Sequence, residues 1–334
     1  MKKVYGLTLY IVVILSIVIG VFMTKMGELA KNLEVSPLDI VKPVPKAFAS
    51  KPELNFLILG IGGGDHEGPT LSDSITIAKL DLKSNTLHTL GIPRDVWVPE
   101  IQDKINSIYA YSLNDDHKNE SFDYTKTHFS DFTGQSIDSM VVIDFRTFES
   151  VIDALDGITI TLKKGFIDPE FPKEGYENAE CSPYDPNYGC RYTELIFPKG
   201  TYKINGKTAL NLVRSRHAEG EEGTDFSRNA RQQMVIQSIK NRIMELVSKH
   251  ELTKLMDVAN ILNKEIARDH KNADYIPLIR ELILSQKGIK IESHTFTEDY
   301  FEVPPYSEYQ GRYVLVPKDK DYEAFKNEIK KLLQ

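Results

Sequence analysis

From Val4 to Met23 the chain carries no charged residue, and the runs Ile11-Val12-Val13-Ile14-Leu15 and Ile17-Val18-Ile19 make this stretch strongly apolar. A helix of that length crosses the hydrocarbon core of a bilayer, so whatever follows must fold as a domain tethered at its amino terminus. Lys2 and Lys3 precede the run. By the positive-inside tendency the N-terminus stays in the cytoplasm and the rest lies outside, although Lys25 and Lys31 on the far side weaken the asymmetry. A cleaved signal peptide is the alternative, but the run is long for one and no small-x-small site closes it directly. Residues 1–24 therefore read as a cytoplasmic tip and transmembrane anchor.

Residues 25–53 mix charges and contain Pro37, Pro43, Pro45 and Pro52, the composition of a stalk. The remaining residues, 54–334, are long enough to bury a core, and 41% of the 334-residue chain is hydrophobic. Asn55–Gly60 is a short apolar run ending in glycines, which fits a buried strand. Ser74–Leu80 alternates, Ser84-Asn85 turns, and Thr86–Ile92 follows as an antiparallel partner. Ser139–Asp144 and Ile158–Leu162 read as strands around a helix at 148–155. Residues 165–200 read as an irregular insertion, a long helix starts near Asp225, and further helices fill 252–285. Tyr313–Val316 reads as a late strand and Tyr322–Leu333 as a closing helix. That order predicts an α/β/α three-layer domain with a mixed central sheet. The apolar stretches Met140–Ile143 and Leu278–Leu284 read as core or as the lining of a lipid tunnel.

The two cysteines, Cys181 and Cys190, flank a Pro- and Gly-containing loop, and their spacing suits no CxxC metal or redox motif. Outside the cytoplasm a disulfide is the natural reading; in a reducing compartment they would be free thiols.

An acidic protein, with a net charge of -7, nevertheless gathers Arg214, Arg216, Arg228 and Arg231 within one short stretch. If Arg214-Ser215-Arg216 is extended, both guanidinium groups point to one side of a sheet. Arg228, Arg231 and Gln232 stand at helical spacing, so one helix face carries the second cluster. Guanidinium forks bind phosphate oxygens bidentately and keep their charge, which suits a pyrophosphate. The bland reading is a set of ion pairs with Glu219, Glu221, Glu222 and Asp225. The overall acidity excludes a general nucleic-acid binder. The loop Gly60–Gly68 matches neither a dinucleotide fingerprint nor a P-loop. Asp65 and Asp73 offer hard oxygens for Mg²⁺ or Mn²⁺, and Arg94-Asp95 ends the next strand.

Asn55–Gly60, Ser72-Asp73-Ser74, Ile92-Pro93-Arg94-Asp95, Asp103–Asn106 with Tyr109, Arg214-Ser215-Arg216, and Asp225–Arg228 with Arg231-Gln232-Gln233 together resemble the ordered motifs of the LytR-CpsA-Psr family. The resemblance implies an extracytoplasmic phosphotransferase at the cell membrane. Such an enzyme moves a phosphoglycan, such as a teichoic acid or capsule chain, from a polyprenyl pyrophosphate-linked donor to peptidoglycan. It further implies that Arg94, Arg214, Arg216, Arg228 and Arg231 bind or act on the pyrophosphate and that Asp73 is linked to a metal. The chain departs from many members at Gly62, where they have an aspartate, and at Leu71, where they often have an arginine; Asp65 would replace the first aspartate. Asp95 or Asp225 would orient or deprotonate the acceptor hydroxyl. A polyprenyl pyrophosphate hydrolase, and a non-enzymatic envelope-binding or regulatory protein, remain as alternatives.

Overall fold

The computed structural model describes residues 51–334 apart from 65–67, 115, 118–119, 174, 177–178, 183, 186–187, 276 and 278–289, together with scattered positions between 27 and 48. Among the described residues no helix is long and apolar enough to cross a membrane. The expected anchor at Val4–Met23, most of the stalk, and the stretch Leu278–Leu284 lie outside them.

The strands are β1 (Glu53–Ile61), β2 (Ser72–Asp81), β3 (Thr86–Ile92), β4 (Trp97–Val98), β5 (Asp103–Lys104), β6 (Ser139–Asp144), β7 (Ile158–Leu162), β8 (Phe166–Pro172), β9 (Tyr192–Phe197), β10 (Gly200–Ile204), β11 (Ala267–Arg268), β12 (Lys290–Thr295), β13 (Phe301–Glu302) and β14 (Val316–Pro317). The α-helices that matter below are α1 (Ser121–Thr133), α2 (Phe145–Ala154), α3 (Gly206–Arg214), α4 (Asp225–Ser248), α5 (Leu252–Glu265) and α6 (Tyr322–Leu332).

Six strands form the central sheet in the order β11-β6-β1-β2-β3-β12. β1 runs parallel to β6, and β3 parallel to β12, while β2 lies antiparallel between β1 and β3. The sheet is mixed, as expected. The β2–β3 hairpin is set locally: the Asp81 carboxylate accepts from the Lys83 and Ser84 amides, and Asn85 takes a left-handed φ of 54° that asparagine tolerates.

One face of the sheet presents Leu57, Leu59, Ile75, Ile77, Leu90, Ile92, Met140 and Val142, all buried, against Phe129 and Phe132 of α1 and Phe325 and Ile329 of α6. The Met140–Ile143 stretch therefore puts Met140 and Val142 in the core. On the other face α4 crosses the sheet, with Thr89 Oγ1 donating to Gln233 Oε1 at 2.9 Å. Beyond it Leu155, Leu246 and Val258 join α2, α4 and α5.

Four expectations need correction. The second helix starts at Phe145 rather than 148, because Asp144 caps it by accepting from the Thr147 amide at 2.7 Å. Residues 165–200 are not irregular throughout, since β8 and β9 pair as a ribbon. The segment 252–285 is not wholly helical: α5 stops at Glu265 and β11 adds to the sheet edge. Tyr313–Val316 contributes only an isolated Val96–Leu315 bridge and the start of the two-residue β14. The alternating strand β7 does form, but pairs with β10 outside the central sheet. Cys181 and Cys190 are joined by a disulfide, with Cα atoms 5.7 Å apart, between β8 and β9.

Candidate active site

Because β2 runs against its neighbours, its first residues lie beside the last residues of β1 and β3, and the end of β6 lies beside that of β1. The carboxyl ends of parallel strands are where open α/β sheets bind ligands. At this edge β1 runs into the glycine loop, and Gly63 packs so tightly that a Cβ there would come within 2.8 Å of Asp144 Cβ, with φ at +67°. Only glycine fits. Asp73, the second residue of β2, and Arg94, just past β3, meet in an ion pair.

Asp95 is the hub. Its side chain is only 3% exposed, and its Oδ1 lies 2.6 Å from Lys104 Nζ. Oδ2 lies 3.5 Å from Arg94 Nε and 3.3 Å from Arg216 Nη2. The hub is fixed through the backbone as well, since the Leu315 amide donates to the Asp95 carbonyl at 2.9 Å. Three cations around two carboxylates, Asp73 and Asp95, leave one positive charge in excess before Arg214 and Arg228 are counted. In a partly buried setting that excess draws an anion.

Arg216 reaches the hub from a loop, not from a strand. Arg214 is the last residue of α3, so the two arginines do not share one side of a sheet, contrary to the extended reading. The Arg214 guanidinium instead sits over the rings of Phe145, at 4.8 Å, and Phe171, at 5.7 Å. The turn 215–217 is gripped by Asp168 of β8, which is fully buried. Its Oδ2 accepts from Ser215 Oγ at 2.6 Å and from the amides of Arg216 and His217 at 3.1 and 3.2 Å.

Helix α4 begins where expected, capped by Thr224, whose hydroxyl accepts from the Ser227 amide at 3.1 Å. Gln232 comes to the strand edge, its Oε1 accepting from Ser74 Oγ at 3.1 Å. Arg228, buried, stands one turn earlier on the same stripe of the helix, and so toward the end of β2 that carries Asp73. Arg231 goes elsewhere. It is buried, and its guanidinium donates to the Leu212 carbonyl at 3.1 Å, the Ser215 carbonyl at 2.6 Å, and Glu222 at 3.0 and 3.1 Å. Burial pulls its pKa below the ordinary arginine value, with Glu222 acting against the shift. Asp65 and the Asp225 side chain lie outside the described residues.

The structure thus brings Asp73, Arg94, Asp95 and Arg216 into contact, with Gln232 beside them. Reasoning from sequence did not assign roles to Lys104, Asp144 or Asp168. Lys104 stood in a motif already noted, and Asp144 was legible as a helix cap; nothing local marked Asp168. Beside Arg216 opens a cavity of about 530 Å³ whose walls include His217, Phe226, Phe301, Tyr313 and Leu315.

Residues 23–331 match the sequence model of the LytR_cpsA_psr family. The polyisoprenyl-teichoic acid--peptidoglycan teichoic acid transferase TagT of Bacillus subtilis (strain 168) is 25% identical over 257 residues, 74% of this chain and 71% of that protein. Among solved structures, protein gbs0355 of Streptococcus agalactiae superposes with a TM-score of 0.61 at 20% identity, covering 87% of this chain and 91% of that one. A structure of YwtF (TagT) with bound octaprenyl pyrophosphate lipid superposes with a TM-score of 0.52 at 21% identity, covering 85% of this chain and 91% of that one.

Proposed function

The chain belongs to the LytR_cpsA_psr family, and we propose that it is a membrane-anchored, outward-facing phosphotransferase that moves a phosphoglycan from a polyprenyl pyrophosphate-linked donor to peptidoglycan. The observation that carries this reading is the Asp95 hub, which holds Arg94, Lys104 and Arg216 together past the carboxyl end of β3. The external setting is supported by the disulfide, since such bonds persist in oxidising compartments. The relatives supply the class of donor and acceptor: the B. subtilis protein is named for teichoic acid transfer to peptidoglycan.

In this mechanism Arg94 and Arg216 take the pyrophosphate oxygens, with Arg214 and Arg228 alongside. The acceptor hydroxyl attacks the glycan-side phosphorus; a new P–O bond to the acceptor forms while the bond to the bridging oxygen breaks, and polyprenyl phosphate leaves. Phosphoryl transfer asks a protein mainly for positioning and for charge to meet the charge that develops on the leaving oxygens. Both Asp95 oxygens face cations, which favours Asp95 as the group that fixes the arginines. Asp225, the first residue of α4, is then the candidate to accept the hydroxyl proton. The cavity beside Arg216, walled by Phe226, Phe301 and Tyr313, would seat sugar next to the phosphate. Arg231 is assigned to holding the turn at Ser215 rather than to the ligand.

A Mg²⁺ or Mn²⁺ ion fits the hard oxygen of Asp73, which is partly exposed beside the glycine loop, because such ions need only one or two carboxylates when phosphate oxygens and water complete the shell. Bound there, it would neutralise charge on the phosphates.

The test is a reconstituted assay with a lipid-linked glycan donor, run with and without peptidoglycan. Acceptor-dependent appearance of glycan on peptidoglycan supports the proposal. Release of phosphate-bearing glycan at the same rate without acceptor would make the protein a hydrolase instead.

A further inference from the structure

Far from the arginines, the lower part of the sheet carries a group of donors that the phosphate chemistry does not use. His88 on β3 is in register with Glu292 on β12, and His294 lies two residues further along the same strand. In parallel neighbouring strands these three side chains share one face. One donor atom from each lies within 4.8 Å of the others. Side-chain rotations of about 1 Å would bring them to the roughly 3.4 Å spacing that ligands take around a tetrahedral ion with bonds of about 2.1 Å.

The imidazoles are placed as ligands rather than as members of a hydrogen-bond network. His88 is 93% buried by its 7% exposure, and its Nδ1 has no hydrogen-bond partner among the described residues, lying 3.4 Å from Glu292 Oε2. His294 Nε2 is likewise buried without one. An unsatisfied buried nitrogen costs free energy that metal ligation would recover. Two lysines stand close. Lys79, opposite His88 on β2, is paired with Glu53 at 2.8 Å, and the exposed Lys290 is paired with Glu292. An exposed pair of that kind is worth little and yields easily to a divalent ion.

We propose that His88, Glu292 and His294 form a binding site for one Zn²⁺-class transition-metal ion, joining the edge strand β12 to β3. Two imidazoles and a carboxylate select zinc-like ions over Mg²⁺, which requires oxygen ligands. Six residues of extended chain separate His88 from Arg94, about 20 Å, so this ion could not touch a ligand in the arginine cradle.

The test uses tag-free, full-length protein in detergent, stripped of metal and then dialysed against buffered Zn²⁺ with millimolar Mg²⁺ present. The site predicts one equivalent of bound zinc, a rise of several degrees in Tm, and a visible absorption band when Co²⁺ replaces Zn²⁺. Glu292→Gln and His294→Gln, at partly exposed positions, should each weaken binding at least tenfold; His88→Gln is a supplementary variant because its burial endangers folding. Failure to retain stoichiometric zinc would overturn the site, as would wild-type affinity in either of the first two variants.

Discussion

Arg94 and Arg216, far apart in the chain, point at the same oxygen of Asp95: Nε of the first lies 3.5 Å and Nη2 of the second 3.3 Å from Oδ2. Sharing one buried carboxylate makes them a unit. Arg94→Lys and Arg216→Lys keep the charge but lose the fork, and each should lower transfer about a hundredfold, about 3 kcal/mol, with little change in Tm. Because both rest on Asp95, the double variant should lose clearly less than the product of the two effects. A double-variant cycle on initial transfer rates checks this; full activity in both single variants would remove the cradle from the mechanism.

Asp73→Asn retains the shape of the side chain but not its charge. Turnover should fall and require higher Mg²⁺ to recover, because the remaining oxygen donor holds the ion less well. Rates measured across a Mg²⁺ titration, compared with the unaltered protein, report the shift. An unchanged titration curve would leave Asp73 as a partner of Arg94 only.

Arg231 and Asp168 should behave differently from the cradle. Arg231→Met strands the carbonyls of Leu212 and Ser215 and leaves Glu222 without its partner, so it should cost about 3 kcal/mol or more of stability. Asp168→Asn keeps an acceptor for Ser215 but loses the charge that binds two amides, so kcat should drop more than KM rises. Thermal unfolding and steady-state kinetics on both variants separate the two effects; a stable, inactive Arg231→Met would place Arg231 on the ligand.

The disulfide closes a short loop, so paired Cys181→Ser and Cys190→Ser substitutions should cost about 2–3 kcal/mol at most by chain entropy. The domain should still fold and transfer. Denaturant midpoints with and without reductant measure the loss, and global unfolding on reduction alone would contradict the expectation.

What was legible in the sequence was local. The β2–β3 hairpin was written in alternation and in a turn that Asp81 and Asn85 stabilise within a few residues of each other. The start of α4 was legible because its cap is adjacent. Helical spacing grouped Arg228, Arg231 and Gln232, but three residues turn a helix by about 300° and four by about 400°, so Gln232 stays near the stripe of Arg228 while Arg231 rotates off it. Arg231 accordingly meets the carbonyls of Leu212 and Ser215, and Gln232 meets Ser74. Asp168 could not be read from the sequence, because the turn it grips, at Ser215, Arg216 and His217, lies 47 to 49 residues away and two of those partners are backbone amides, which leave no trace in a sequence. Arg214 ended a helix where an extended run was expected, since Asn205 caps α3 through the Thr208 amide and the apolar face of 209–212 carries the helix on to Arg214.

The β8–β9 ribbon divides into two parts with separate obligations. Its base, through Asp168 and Phe171, is bonded to the arginine turn, while the chain between the strands projects Tyr184 and Tyr188 to solvent. The outer segment is therefore an exchangeable cassette. An epitope or a reporter peptide grafted between Pro172 and Tyr192 would ride on a platform whose register is set by β8 and β9, without occupying the cradle.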